Sequence, residues 1–189
     1  MTTNIQLRTG NAADASAIHD LITTNLSVGH LLPRTFEDVQ SHAERFVVAM
    51  AGETVIGCAE LAPLSSEVAE VRSLVVAEAM RGQRTGVGLV TALADRAREL
   101  GYVTLCAFTH QPAHFVRLGF SIVPHVWVPE KIALDCVGCS QFRHCGQYAV
   151  SLPLRAGAGL RLEQTAPPAR AISGPRASVE RLRLLPITA

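Results

Sequence analysis

No stretch of this sequence approaches the roughly 20 consecutive apolar residues that a bilayer-spanning helix needs. The N-terminal residues up to Arg8 also lack a basic start followed by an apolar block, so no secretory signal is expected. Together these absences point to the cytoplasm and away from a membrane. Charge of one sign is lacking as well. The formal net charge is +1 and only 17% of residues are charged, which gives no global case for nucleic acid. Two familiar phosphate fingerprints are missing too. No lysine follows Gly86 or Gly88, so the Gly-x-x-x-x-Gly-Lys-Ser/Thr loop is excluded. The dinucleotide spacing Gly-x-Gly-x-x-Gly is not met there either.

What is present suits a globular domain with a core: 189 residues, 48% of them hydrophobic. The charge is unevenly placed. Residues 155–189 carry six arginines against Glu163 and Glu180, a local +4 that leaves −3 for residues 1–154. Pro, Ala, Gly and Arg dominate that tail without apolar periodicity. It is expected to be mostly disordered, solvated or a partner contact, following a domain over 1–154. The five cysteines divide in two. Cys58 and Cys106 lie in apolar strand-like runs and read as small buried hydrophobes. Cys136, Cys139 and Cys145 cluster, with His144 beside the last. Thiols so spaced suggest a structural zinc or a reduced, oxidisable loop before disulfides. Adjacent His144 and Cys145 cannot easily face one ion.

Taken in order, Ile5 to Arg8 reads as a strand, and Asp14 as the cap of a helix with Ile18, Leu21 and Ile22 on one face. Thr35 caps a second helix with Glu37 and Asp38 in its first turn. Phe46–Met50 and Thr54–Leu64 pair as a hairpin around Ala51, Gly52 and Glu53. Glu67–Val76 is a strand, and Val87–Leu100 a helix closed by Gly101. Tyr102–Phe108 is a strand, Gln111–Leu118 a short helix with Pro112 in its first turn, and Phe120–Val123 another strand. Residues 124–146 show little regular pattern, and Tyr148–Leu154 is the last strand. The order β-α-α-β-β-β-α-β-α-β-β makes an α/β (α+β) domain with a mixed sheet flanked by helices.

The stretch Arg81, Gly82, Gln83, Arg84, Thr85, Gly86, Val87, Gly88 joins a strand to a helix. Such a turn exposes the first N–H groups of the helix, which have no partner inside it, and the dipole adds partial positive charge. The reading is a phosphate or pyrophosphate cradle, against an ordinary glycine-rich turn. The pattern Gln83-x-x-Gly86-x-Gly88 resembles the acetyl-CoA pyrophosphate loop of the GNAT acetyltransferase superfamily. Ala113 to Phe120, a short helix running into Leu118-Gly119-Phe120, resembles its second signature. The resemblance covers about residues 5–154 and implies the GNAT fold, with a mixed, mostly antiparallel sheet.

Three further stretches narrow the likeness: Leu31 to Arg34, Glu70 to Val76, and Val128 to Lys131 followed by Asp135, Cys136 and Cys139. Together they resemble bacterial N-acetylglutamate synthase, in its stand-alone type and in the related domain fused to argininosuccinate lyase. A chain of this length cannot hold the kinase-like domain of the long synthases, so arginine inhibition through it is not expected. The family implies acetyl transfer from acetyl-CoA to the α-amine of L-glutamate, the first step of arginine biosynthesis. It implies that residues 81–88 hold the pyrophosphate. A backbone N–H near Leu74, Val75 or Val76 would stabilise the thioester oxygen. Arg34 and Arg72 are the candidates for the glutamate carboxylates, because a guanidinium pairs with both oxygens, and Lys131 is a third. Glu70 is the candidate general base, through water. A solvent-facing Arg72, a surface Lys131 and a Glu70 that merely partners an arginine are the alternatives. Where many superfamily members place a tyrosine acid, four residues before the glycine, this chain has Phe115. The CoA thiolate would then leave with solvent help, or with His114 or Cys106. A homodimer is one arrangement open to the chain. Other readings are a GNAT enzyme for another amine, and a non-catalytic acetyl-CoA-binding or metal-sensing regulator.

Overall fold

A computed structural model describes residues 4–26 and 31–155. The elements are β1 (Ile5–Thr9), α1 (Ala15–Thr24), α2 (Phe36–Ser41), β2 (Phe46–Ala51), β3 (Thr54–Pro63), β4 (Val68–Val76), α3 (Thr85–Glu99), β5 (Thr104–Thr109), α4 (Pro112–Val116), β6 (Ser121–Val123) and β7 (Tyr148–Pro153). They form one seven-stranded sheet of order β1-β2-β3-β4-β5-β7-β6. Every neighbouring pair is antiparallel except β4–β5. That pair is parallel because α3 carries the chain back across the sheet between them. The expected tail lies, apart from Arg155, outside the described residues.

Side chains alternate between the two faces of the strands, and each face meets helices. On one face, Leu89, Val90, Leu93, Ala94 and Ala97 of α3 pack on Ala59, Leu61, Ala69, Val71 and Leu105. Their helical spacing was the signal for α3, and full burial of each large apolar side chain stabilises by about 1.5–3 kcal/mol. On the other, Ile18 and Ile22 of α1 and Val39 of α2 cover Phe46, Val48, Cys58 and Val75. Glu60 and Glu70 replace apolar residues on this second face, and both are buried.

The entry to α1 differs in part from expectation. Asp14 stands at the N-cap position of α1 as expected but makes no capping bond into it; the capping side chain is Asn11, one turn earlier, which accepts the Ala13 N–H at 2.9 Å while Asp14 accepts the Asn11 N–H at 2.9 Å. This reciprocal box opens a 3₁₀ turn, Ala12–Asp14, which runs into α1. Arg8 of β1 closes on Asp14 with two hydrogen bonds of 2.7 Å. Thr35 caps α2 as expected, accepting from the Asp38 N–H at 3.2 Å. The segment between β6 and β7 has more structure than its sequence suggests. It includes a helical turn at Pro129–Lys131 that continues as a π-helical turn, Ile132–Cys136.

Candidate active site

Two features of β4 open a cleft. β4 pairs with β5 only from Val68↔Thr104 to Val71↔Ala107, although β4 continues to Val76 and β5 to Thr109. Beyond Val71 the two parallel strands part, and their carboxyl ends flank a crevice, the place where open α/β sheets receive ligands. On its other side β4 carries a bulge. Cys58 pairs with Val75 but Glu60 with Arg72, so Ser73 and Leu74 together face Ala59. Ser73 holds φ 49°, a left-handed conformation uncommon for serine. The resulting cleft measures about 1040 Å³ and is walled by β4 from Glu70 to Val76, by Phe108 to Gln111, and by Lys131 to Cys139 in part. A second cavity, of about 460 Å³, continues from it along the 81–88 loop and α4, sharing Val76, Arg81, Gly86 and His114.

The loop is built as a helix entrance. Gly82 has φ 81° and Arg84, the residue before α3, has φ 61°. No side chain caps α3, so its first N–H groups face the cavity without a capping side chain. Gly86 has its nearest neighbours to a built Cβ at 3.6 Å and 3.7 Å, both on the His114 ring. Space at Gly86 is therefore wall rather than packed core. Arg81 does not point freely at this space. Its guanidinium donates to Asn25 Oδ1 at 2.7 Å and to the Val76 carbonyl at 3.2 Å, tying the loop to the end of α1. Thr85 is buried and its hydroxyl has no partner. Val75 is buried in the second core, while Leu74 and Val76 line the cleft.

At the far end of the cleft the charged residues converge. Arg34, from the loop before α2, donates to Glu60 at 2.7 Å, to Ser73 Oγ at 3.3 Å, and to Asp38. Arg72 Nε donates to Glu70 at 2.6 Å, and its Nη2 to Asp135. Lys131 Nζ reaches both oxygens of Glu70 at 2.9 Å and Asp135 at 2.8 Å. Lys131 also sits 5.3 Å from the centre of the Phe108 ring. Burial works against the Arg34 and Arg72 cations, but the surrounding carboxylates outweigh it and hold both pKa values above the ordinary one. The Arg34 guanidinium in turn holds the Asp38 carboxyl below its usual range.

The structure thus brings Arg34, Arg72, Lys131 and Glu70 to one cleft, and the loop 81–88 to its other end. Glu70 is a partner of Arg72 and of Lys131, and Arg72 does not point to solvent alone. Glu60 was missed by sequence reading. Its signal was a lone charge inside the apolar run of β3, which only a buried partner makes tolerable. Asp135 was noted in a motif but given no role.

The zinc expectation is not supported. Among the described residues no group of three or more His, Cys, Asp or Glu side chains could hold a metal ion. Cys136 is half-buried while Cys139 and Cys145 are exposed. Phe115, at the position of the superfamily's tyrosine, is buried against Phe120 with ring centres 5.2 Å apart. Cys106 lies buried with Leu64 and Val128, its thiol pushed well up by burial and then by Glu70. His114 lines both cavities, and its Nε2 is buried without a hydrogen-bond partner. Burial, then Arg117, lowers its pKa below the ordinary histidine value.

A parted parallel pair with a bulged central strand thus leads into a glycine-rich helix entrance, and comparison with known proteins assigns the class. Residues 15–120 match the acetyltransferase (GNAT) family, and the chain belongs to that family. It is an acyltransferase of the acetyl-CoA-dependent kind. An uncharacterized N-acetyltransferase of Chlorobaculum tepidum is 31% identical over 76% of this chain and 93% of its own. The amino-acid acetyltransferase of Pseudomonas aeruginosa is 32% identical over 59% of this chain, which spans only 26% of that longer protein. A Mycobacterium tuberculosis protein solved in complex with CoA is 25% identical, with a TM-score of 0.67 over 79% of this chain and 99% of that one. N-acetylglutamate synthase of Neisseria gonorrhoeae shares the fold at 22% identity and a TM-score of 0.71, over 82% of this chain and 36% of that one. No helix among the described residues is long and apolar enough to cross a membrane.

Proposed function

We propose that this protein transfers the acetyl group of acetyl-CoA to the α-amine of L-glutamate, which would supply N-acetylglutamate for arginine biosynthesis. The observation that carries this reading is the meeting of Arg34, Arg72 and Lys131 at the acceptor end of the cleft, beyond the parting of β4 and β5. A dicarboxylate needs forked cationic donors, and in Arg34 and Arg72 only part of each fork is spent on protein carboxylates. The amino-acid acetyltransferase relatives, of which this chain spans about a quarter, support the same acceptor class.

In this reading residues 81–88 and the start of α3 take the pyrophosphate, with the thioester threading between β4 and β5. A backbone N–H near Leu74 to Val76, freed by the bulge, polarises the thioester carbonyl. Glu70 takes the ammonium proton through water, and the neutral amine attacks the carbonyl carbon. The new C–N bond forms, the C–S bond breaks, and the second proton of the nitrogen passes to solvent water. The thiolate takes a proton from solvent, since Phe115 offers none and burial, then Arg117, disfavours the protonated form of His114.

One observation favours a second acceptor class. The cluster holds four carboxylates, Asp38, Glu60, Glu70 and Asp135, against three cations. A balance tilted to acid suits an acceptor amine carrying extra positive charge. Thiol release from acetyl-CoA, followed with a panel of amino acids and polyamines, separates the two. Turnover with glutamate that is lost in Arg72→Ala while acetyl-CoA still binds supports the proposal. Turnover with polyamines and none with glutamate overturns it.

A further inference from the structure

Asp135 makes the contacts that an acceptor carboxylate would need. It pairs with Arg72 Nη2 and, at 2.8 Å, with Lys131 Nζ, two of the three cations at the acceptor end. Glu70 also holds both cations, but the two carboxylates differ in kind. The Glu70 side chain is 4% exposed and the Asp135 side chain 37%. A buried carboxylate stripped of its partner is left as an uncompensated charge, whereas one reached by water can exchange its partner for water at lower cost.

The carrier of Asp135 is also suited to exchange. Asp135 lies on the π-helical turn Ile132–Cys136, a geometry that concentrates at functional sites, and Leu134, Gly138 and Cys139 beside it line the cleft. Lys131 precedes Asp135 by four residues, the weaker order for a helical ion pair, so the contact does little for the turn itself. Its consequence falls on the cleft: two cations are neutralised while no acceptor is present.

We propose that Asp135 is an exchangeable counter-carboxylate, which holds Arg72 and Lys131 in the acceptor-free protein and yields them to a carboxylate of the acceptor. The inference rests on the anionic-acceptor reading above and adds a residue that sets acceptor affinity by competition. Acceptor binding then costs the breaking of two ion pairs, and removing the Asp135 charge removes that cost.

The test is a calorimetric titration with glutarate, a dicarboxylate without an amine, into full-length protein saturated with CoA. Asp135→Asn is expected to bind glutarate about fivefold more tightly than the unaltered protein, the combined scale of two partly exposed ion pairs. Asp135→Glu, which restores the charge, is expected to return to the unaltered affinity. CoA affinity measured on each variant reports that the fold is kept. Glutarate affinity that is unchanged or weaker in Asp135→Asn overturns the proposal, as does the absence of glutarate binding in both proteins. Because glutarate cannot be acetylated, this readout is separate from turnover. Failure of glutamate acetylation would sink the proposed reaction and leave the Asp135 comparison readable.

Discussion

Arg34 and Glu60 meet at 2.7 Å with the Glu60 side chain 2% exposed. A pair so far from water fails asymmetrically, because removing one member strands the other in a medium that cannot solvate it. Glu60→Ala is expected to destabilise the fold by about 3–5 kcal/mol. Replacing both residues with apolar ones of similar volume should cost much less, and urea unfolding of the single and double variants measures the difference. Glu70 carries a different expectation. If it is the base, Glu70→Gln lowers kcat by about 10²–10⁴-fold while the KM for acetyl-CoA stays the same. A kcat within a fewfold of the original would assign Glu70 to ion pairing alone. His114 gives a pH signature. Its folded pKa lies below the 6.5 of the free group, so the unfolded chain takes up the proton first. This contribution is full above about pH 6.5 and is lost as the pH falls toward the depressed folded value. His114→Gln should remove that part of the stability loss, seen as a flatter dependence of the urea midpoint on pH. Single residues such as these were half legible. Arg34, Arg72 and Lys131 stood out by chemical type, but nothing local tells an exposed arginine from one held by a carboxylate 26 or 63 positions away.

Among the elements, α3 and its entrance show how a turn can be readable and its reason hidden. Gly82 and Gly86 look equivalent as letters. Gly82 sits at φ 81°, where a side chain is strained whatever the space, while Gly86 has ordinary room for a Cβ. Gly82→Ala is therefore expected to cost about 1 kcal/mol of stability. Gly86→Ala should leave stability nearly unchanged and, if the 81–88 loop holds the CoA pyrophosphate as proposed, weaken CoA binding by placing a methyl on the approach to a phosphate. Thermal unfolding with and without CoA separates the two. Elements with strong periodicity, such as α3 and the β2–β3 hairpin, were plain in the sequence. Asp14 holds the N-cap position of α1, but a 3₁₀ turn before it hands the capping bond to Asn11. The π-helical turn at Ile132–Cys136 left no period to recognise.

At the scale of the whole molecule, the cleft lies where β4 parts from β5 on one side and is bulged against β3 on the other. A ligand that binds only the folded chain stabilises it by mass action. CoA at about 100 times its Kd should add ~2.7 kcal/mol, and a thermal shift of that size is expected for the intact protein but not for Gly86→Ala at the same concentration. From the sequence came the order of strands and helices and the glycine-rich entrance to α3, while the family was legible through the likeness of two motifs, Gln83 to Gly88 and Ala113 to Phe120. The elements rest on local periodicity and glycine placement, which neighbouring residues decide. Only the tertiary structure shows where β4 leaves β5, where the bulge at Ser73 and Leu74 falls opposite Ala59, and which carboxylate meets which cation. Those depend on register between distant strands and on burial, and neither is written in any short stretch of chain.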